Sequence, residues 1–316
     1  MTTDRVAAVD IGTNTVLLLV AEGAAENPRA VVERATITRL GEGVDRTRTL
    51  SAAAIARTVR CLAEYAAIVA EHGVSTVDMV CTSAARDAVN GAEFLAAVRA
   101  TTGHVPRIVD GAEEARLAFE GTLSGLDLEG PVTVFDVGGG STEVIHGELP
   151  RGAAPILRSS VSLNIGSVRL TERYVRHDPP LEVELRAVRS DVDRALERVP
   201  QFSTSTLVGV AGTVTTLSAI DRGLSTYDPS LVHGSTLSRA KIRAIIDRLA
   251  KLDADGRRAV TGLDPGRADV IVAGSLIALG VAESRGAAAL VVSDRGVRWG
   301  LARNALGSGR KPRGKG

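Results

Sequence analysis

The sequence predicts an α/β protein of two duplicated lobes, and three observations predict it. Strand-like runs followed by amphipathic helical runs occur twice along the 316 residues. The stretch VAAVDIGTNT at 6–15 aligns with VTVFDVGGGS at 132–141, setting Asp10 against Asp136 and Gly12 against Gly138, an offset of 126 residues. A hydrophobic content of 44% with 24% charged residues is enough apolar material to bury a core in each half.

In order, RVAAVD at 5–10 reads as a strand, IGTNT as a turn and VLLLVAEG at 16–23 as a second strand, with a third β-like run at 29–40. From Ser51 the period changes. Residues 51–73 place apolar side chains at helical spacing, with a serine able to cap the start and a glycine at the end. TVDMVCTSAAR at 76–86 reads as a short strand, and 92–103 and 111–125 as helices. The order then restarts: PVTVFDVGGGSTEVIHGEL at 131–149 is strand, glycine turn, strand, extended by ILRSSVSL at 156–163. The remainder is largely helical, interrupted at 205–220 and 289–306. This order places a boundary near Gly125 to Gly130.

Composition excludes several classes of function. Lys+Arg at 38 against Asp+Glu at 37 gives a net charge of +1, not the basic excess of a protein that coats nucleic acid. Aromatics at 3% are too few for base-stacking platforms. Cys61 and Cys81 form no CxxC pair, so neither a disulfide scaffold nor a zinc site is expected. No apolar run reaches the ~18 residues of a membrane span, and the strand-like start leaves no room for a signal peptide. A cytoplasmic protein is the expectation. The tail GSGRKPRGKG reads as a disordered end.

The chemistry lies in the two turns. Gly, Ser, Thr and Asn supply backbone N–H donors and small hydroxyls, which suit phosphate oxygens. No GxxxxGK[ST] or GxSxG run exists. A dinucleotide GxGxxG must open a helix, whereas VLLLV and TEVIHG continue as strands. Each turn therefore reads as a β-hairpin phosphate clamp, the alternative being a tight hairpin with incidental glycines. Asp10 and Asp136 end their strands where the turns begin, and Glu143 follows two residues after Ser141. Mg²⁺ prefers such carboxylate oxygens and retains waters, so Asp10, Asp136 and Glu143 are the candidate metal ligands. The competing reading is that each caps its own turn. Two such lobes facing each other would set both hairpins across one cleft. The five histidines show no metal spacing, and His233 reads as structural.

VDIGTNT, TLSAAAIARTVRCL, CTSAARDAVN, GAEEARLAFEG, FDVGGGSTEVI, SLNIGSVRLTERY, VGVAGTVTTL and SDRGVRWGLA stand in this order along the chain. Together, over residues 5–305, they resemble the exopolyphosphatase / guanosine pentaphosphate phosphohydrolase (Ppx/GppA) family. The resemblance implies the actin-like, sugar-kinase-like and Hsp70-like fold of two duplicated lobes with an interlobe active-site cleft. Residues 1–125 would form the first lobe, joined by the final helix near 297–307, and 126–316 the second. It implies Mg²⁺-dependent removal of terminal phosphate from inorganic polyphosphate or guanosine pentaphosphate, with polyphosphate as the preferred reading and a homodimer as the expected assembly.

The same resemblance gives the residues their roles. Glu114 takes the place of the catalytic base and Arg86 that of the phosphate-facing arginine. Gly138, Gly139, Gly140, Ser141 and Thr142 would wrap the reacting phosphate, with Gly12, Thr13 and Asn14 opposite. Gly212 and Thr213 match the loop that contacts adenosine in kinases of the fold. Ser162, Gly166 and Arg169 fall in a further motif without a specific role.

Two departures stand out. Leu17 occupies a position where the family commonly has arginine or another polar residue, which removes a cation beside the ligand. No helical domain is expected after the two lobes, which weighs against processive digestion of long chains. The rival readings are an ATP-dependent kinase and a non-catalytic sensor of guanosine tetra- or pentaphosphate.

Overall fold

The computed structural model describes residues 5–202 and 206–308. The end of the basic tail, 309–316, lies outside them. The chain divides into two compact units, one of Met1–Gly125 with Val297–Gly316, the other of Leu126–Gly296.

The first unit holds β1 (Arg5–Ile11), β2 (Thr15–Ala24), β3 (Asn27–Ile37), β4 (Thr76–Cys81) and β5 (Arg107–Ile108) in the order β3-β2-β1-β4-β5. β1, β2 and β3 pair antiparallel, while β1, β4 and β5 run parallel. β1 is buried at six of its seven residues because it is central and covered on both faces, as a continuous apolar run predicts. The Val297–Ser308 helix lies on β1 and β2 and against the Gly111–Thr122 helix. Gly300 permits that last contact, since a Cβ there would fall 2.3 Å from the Leu117 carbonyl oxygen. The Ala52–Glu71 helix begins at Ser51, whose side chain accepts from the Ala54 N–H at 3.1 Å.

The 76–86 strand expectation needs correction. β4 stops at Cys81, where its parallel partner β1 also ends at Ile11. Thr82 N–H still bonds the Ile11 carbonyl at 3.2 Å, and Ser83–Asp87 then coils into a short helix. With no strand left to pair, SAARD follows its local helical preference.

The second unit holds β6 (Gly130–Val137), β7 (Thr142–Leu149), β8 (Ile156–Leu163), β9 (Thr206–Val210), β10 (Thr236–Ser238) and β11 (Ala289–Val292) in the order β10-β11-β9-β6-β7-β8. Its core is organised by the Ile271–Ser284 helix, which is buried almost all round and packs against the Glu182–Leu196, Arg239–Leu249 and Ser167–Tyr174 helices. A helix apolar on every side has no other stable place. Among the described residues, no helix is long and apolar enough to cross a membrane.

The duplication is structural in detail. In one hairpin Asp10 pairs with Leu17 and Ile11 with Val16; in the other Asp136 pairs with Glu143 and Val137 with Thr142. The turns close alike, Gly12 N–H to Thr15 O at 3.1 Å and Gly138 N–H to Ser141 O at 3.0 Å.

Candidate active site

In the first unit, β1 delivers Asp10 into a buried position. One of its carboxylate oxygens, Oδ1, meets no hydrogen-bond donor among the described residues. Burial, followed by the nearby Glu114 carboxylate, pushes the Asp10 pKa up to about 7, against the opposing Arg298 guanidinium. Arg298 is itself buried, and its Nη2 donates to Glu33 Oε2 at 2.7 Å.

Glu114 lies in the first turn of the helix capped by Asp110, whose side chain accepts from Glu113 N–H at 2.8 Å. Arg86 Nη1 donates to Glu114 Oε2 at 3.1 Å and to the Val109 carbonyl at 2.9 Å. Those two bonds use both Nη1 hydrogens, so the Nε and Nη2 edge of the fork remains for an anion.

The first turn is strapped from outside. Asn14 O accepts from the Thr38 and Arg39 N–H groups at 3.0 and 2.9 Å, and Thr13 O accepts from Gly41 N–H at 2.8 Å. Arg39 adopts φ 52, a strained conformation for a non-glycine residue. Gly41 presses on the Thr13 methyl: a Cβ at Gly41 would fall 2.3 Å from Thr13 Cγ2. Thr13 Oγ1 lies 2.7 Å from Ser83 Oγ, so the two buried hydroxyls share one hydrogen and retain one to offer.

In the second unit the glycine turn is held by its carbonyls. Gly138 O accepts from Ser167 N–H at 2.9 Å, Gly139 O from the Val168 and Arg169 N–H groups at 3.0 Å each, and Gly140 O from Arg169 Nε at 2.6 Å. Gly166 makes this approach possible, since a Cβ would fall 2.3 Å from Gly139 O. In a planar trans peptide N–H and C=O point oppositely, so the N–H groups of Gly139, Gly140 and Ser141 turn to the other side. Three consecutive N–H groups facing one way form an anion nest.

Asp136 and Glu143, direct partners across the hairpin, share one face of the sheet. Glu143 is buried, and its Oε1 accepts from Ser162 Oγ at 2.8 Å. Thr142 is also buried, and its hydroxyl proton is committed to the Ile165 carbonyl at 2.7 Å. Gly212 and Thr213 open the Ala211–Arg222 helix, entered through Ala211 at φ 72. A Cβ on Gly212 would strike the Arg267 guanidinium at 2.1 Å, so Arg267 lies directly on that turn.

The structure thus brings Asp10, Arg86, Glu114 and Thr13 together in one unit. It brings Gly138–Ser141 together with Ser162, Gly166 and Arg169 in the other, beside Asp136 and Glu143. Sequence reasoning missed Ser83, Arg267 and Arg298. The available signals were a serine three positions before Arg86 and an arginine inside the apolar run VRWGLA.

Among the described residues, no group of three or more His, Cys, Asp and Glu side chains assembles as a metal cage. Mg²⁺ does not require one, being held by one or two carboxylates and several waters. The unpartnered Asp10 oxygen and the paired Asp136 and Glu143 carboxylates have the donor chemistry it takes.

The family model for the Ppx/GppA phosphatase family matches residues 19–308. Exopolyphosphatase 2 of Mycobacterium tuberculosis is 39% identical over 325 residues, covering 97% of this chain and 100% of that protein. The guanosine-5'-triphosphate,3'-diphosphate pyrophosphatase of Photobacterium profundum is 30% identical, covering 93% of this chain and 58% of that one. A solved structure of the Aquifex aeolicus member of the family superposes with a TM-score of 0.81 at 34% identity, covering 98% of this chain and 99% of that chain.

Proposed function

The chain belongs to the Ppx/GppA phosphatase family, and from that premise we propose that it is an exopolyphosphatase, releasing orthophosphate from the end of inorganic polyphosphate. The observation that carries the reading is the buried Glu114 carboxylate held by Arg86 at 3.1 Å.

Glu114 accepts a proton from water as the water oxygen bonds to the terminal phosphorus and the bridging P–O bond breaks. The shortened polyphosphate departs with that bridging oxygen. In the first unit Arg86 takes two phosphate oxygens on its free edge beside Glu114; in the second unit the N–H groups of Gly139, Gly140 and Ser141 are phosphate-oxygen donors in their own right. Asp10 in the first unit and Asp136 with Glu143 in the second are the carboxylates that would hold Mg²⁺, whose charge, when bound, offsets that of the phosphate oxygens.

Support for polyphosphate over guanosine pentaphosphate comes from the whole-length similarity to exopolyphosphatase 2. The test offers long polyphosphate, short polyphosphate and guanosine pentaphosphate separately to wild type and Glu114→Gln, with Mg²⁺, and measures phosphate release. Release from polyphosphate that falls about 10²–10⁴-fold in the variant is expected. Release from guanosine pentaphosphate alone, or ligand binding without any release, would overturn the assignment.

A further inference from the structure

We propose that Arg169 is a positioning residue that fixes the direction of the Ser141 N–H and so completes the anion nest of the second unit. This rests on the reading above that residues 138–141 hold a phosphate.

The three carbonyls of the turn are not held in the same way. Those of Gly138 and Gly139 are bonded by backbone N–H groups of Ser167, Val168 and Arg169, donors that any substitution except proline would keep, with the Ser167 hydroxyl adding a longer bond to Gly138 O at 3.3 Å. The Gly140 carbonyl is bonded by a side chain, Arg169 Nε, at 2.6 Å. It is also the carbonyl whose orientation dictates that of the Ser141 N–H, because the two groups share one planar peptide. Gly140 itself resists rotation of that peptide little, having no Cβ. A single side-chain bond therefore selects between a peptide that presents its N–H to an anion and one that presents its carbonyl, which would repel it.

Arg169 is well placed for this role. Its backbone N–H already bonds Gly139 O at 3.0 Å, so main chain and side chain grip successive carbonyls of the same turn. It is half-buried in the Ser167–Tyr174 helix, and the bonds that its N–H and Nε make to the turn are to carbonyls. The expected action is thus through the turn and not on the substrate.

Two substitutions separate these roles. In Arg169→Gln the Nε2 amide sits the same number of bonds from Cα as the arginine Nε, so the donor is retained and the charge lost. In Arg169→Met the length is kept and the donor lost. For phosphate release from polyphosphate, Arg169→Met should lose about 10- to 100-fold in kcat/KM, the effect of leaving the buried Gly140 carbonyl without a donor. Arg169→Gln should stay within about threefold of wild type. Binding of inorganic tripolyphosphate by calorimetry, well below each variant's Tm, should follow the same order. The amide resonance of Ser141 should shift on tripolyphosphate addition in wild type and in Arg169→Gln, and not in Arg169→Met.

Equal losses in both variants would mean that Arg169 acts by its charge, and would overturn the inference. So would unchanged kinetics in both with only a lowered Tm. Should wild type release no phosphate, the hydrolase reading fails, and tripolyphosphate binding still decides the inference. If wild type does not bind tripolyphosphate either, both fall.

Discussion

Asp136 and Glu143 stand directly opposite each other across the β6–β7 hairpin, whereas the matching place in β1–β2 sets Asp10 opposite Leu17. Like charges in direct cross-strand register destabilise a sheet by roughly 0.2–1 kcal/mol. Glu143→Gln relieves that repulsion and can still accept from Ser162. We expect it to raise stability by that amount in denaturant unfolding with EDTA present, while phosphate release falls. A variant that loses both stability and activity would show that the carboxylate pair is structural.

Asp10 makes stability depend on pH. Its carboxyl moves from an ordinary 3.8 to about 7, chiefly through burial. Between those values the folded protein binds the proton and the unfolded chain does not. Stability therefore falls as pH rises from about 4 to 7, and the loss is complete above 7. Without divalent cations, Asp10→Asn should gain on the order of 2–4 kcal/mol at pH 8 and nothing at pH 4. Parallel pH profiles for variant and wild type would contradict this.

Arg86→Lys should not preserve function. Arg86 holds Val109 O and Glu114 Oε2 with one nitrogen and keeps a second edge of its fork for phosphate. An ammonium on a flexible stem cannot do both. Phosphate release should drop about 10- to 100-fold, and a variant with wild-type kinetics would remove Arg86 from the phosphate-binding role.

Gly41 and Thr13 should be coupled. Gly41→Ala puts a Cβ 2.3 Å from Thr13 Cγ2, and such overpacking costs about 1–3 kcal/mol. Thr13→Ser deletes that methyl while keeping the hydroxyl bonded to Ser83. The double variant should recover most of the lost Tm; a double as unstable as Gly41→Ala alone would place the strain elsewhere.

The two hairpins, their aspartates and the α/β class were legible because they are local. A Gly/Ser/Thr turn between apolar runs can be read from ten residues, and repeating it 126 residues later reveals the duplication. The end of β4 was not legible, because it is set by where its parallel partner β1 ends. Arg86 and Glu114 could be named only through resemblance, since nothing in their spacing of 28 residues requires contact. Ser83, Arg267 and Arg298 stayed hidden for the same reason: their partners Thr13, Gly212 and Glu33 are distant in sequence.

What the sequence determined by itself is which backbone can form the turns, through glycine and small hydroxyl residues whose conformational freedom is intrinsic. What only the tertiary structure decided is which way those turns face and how their charges are set. The N–H direction at 139–141 depends on donors from 167–169, and the raised pKa of Asp10 depends on burial and on the nearby Glu114 carboxylate, which outweigh Arg298. Peptide orientation and electrostatic environment are properties of neighbours in space, and only folding supplies those.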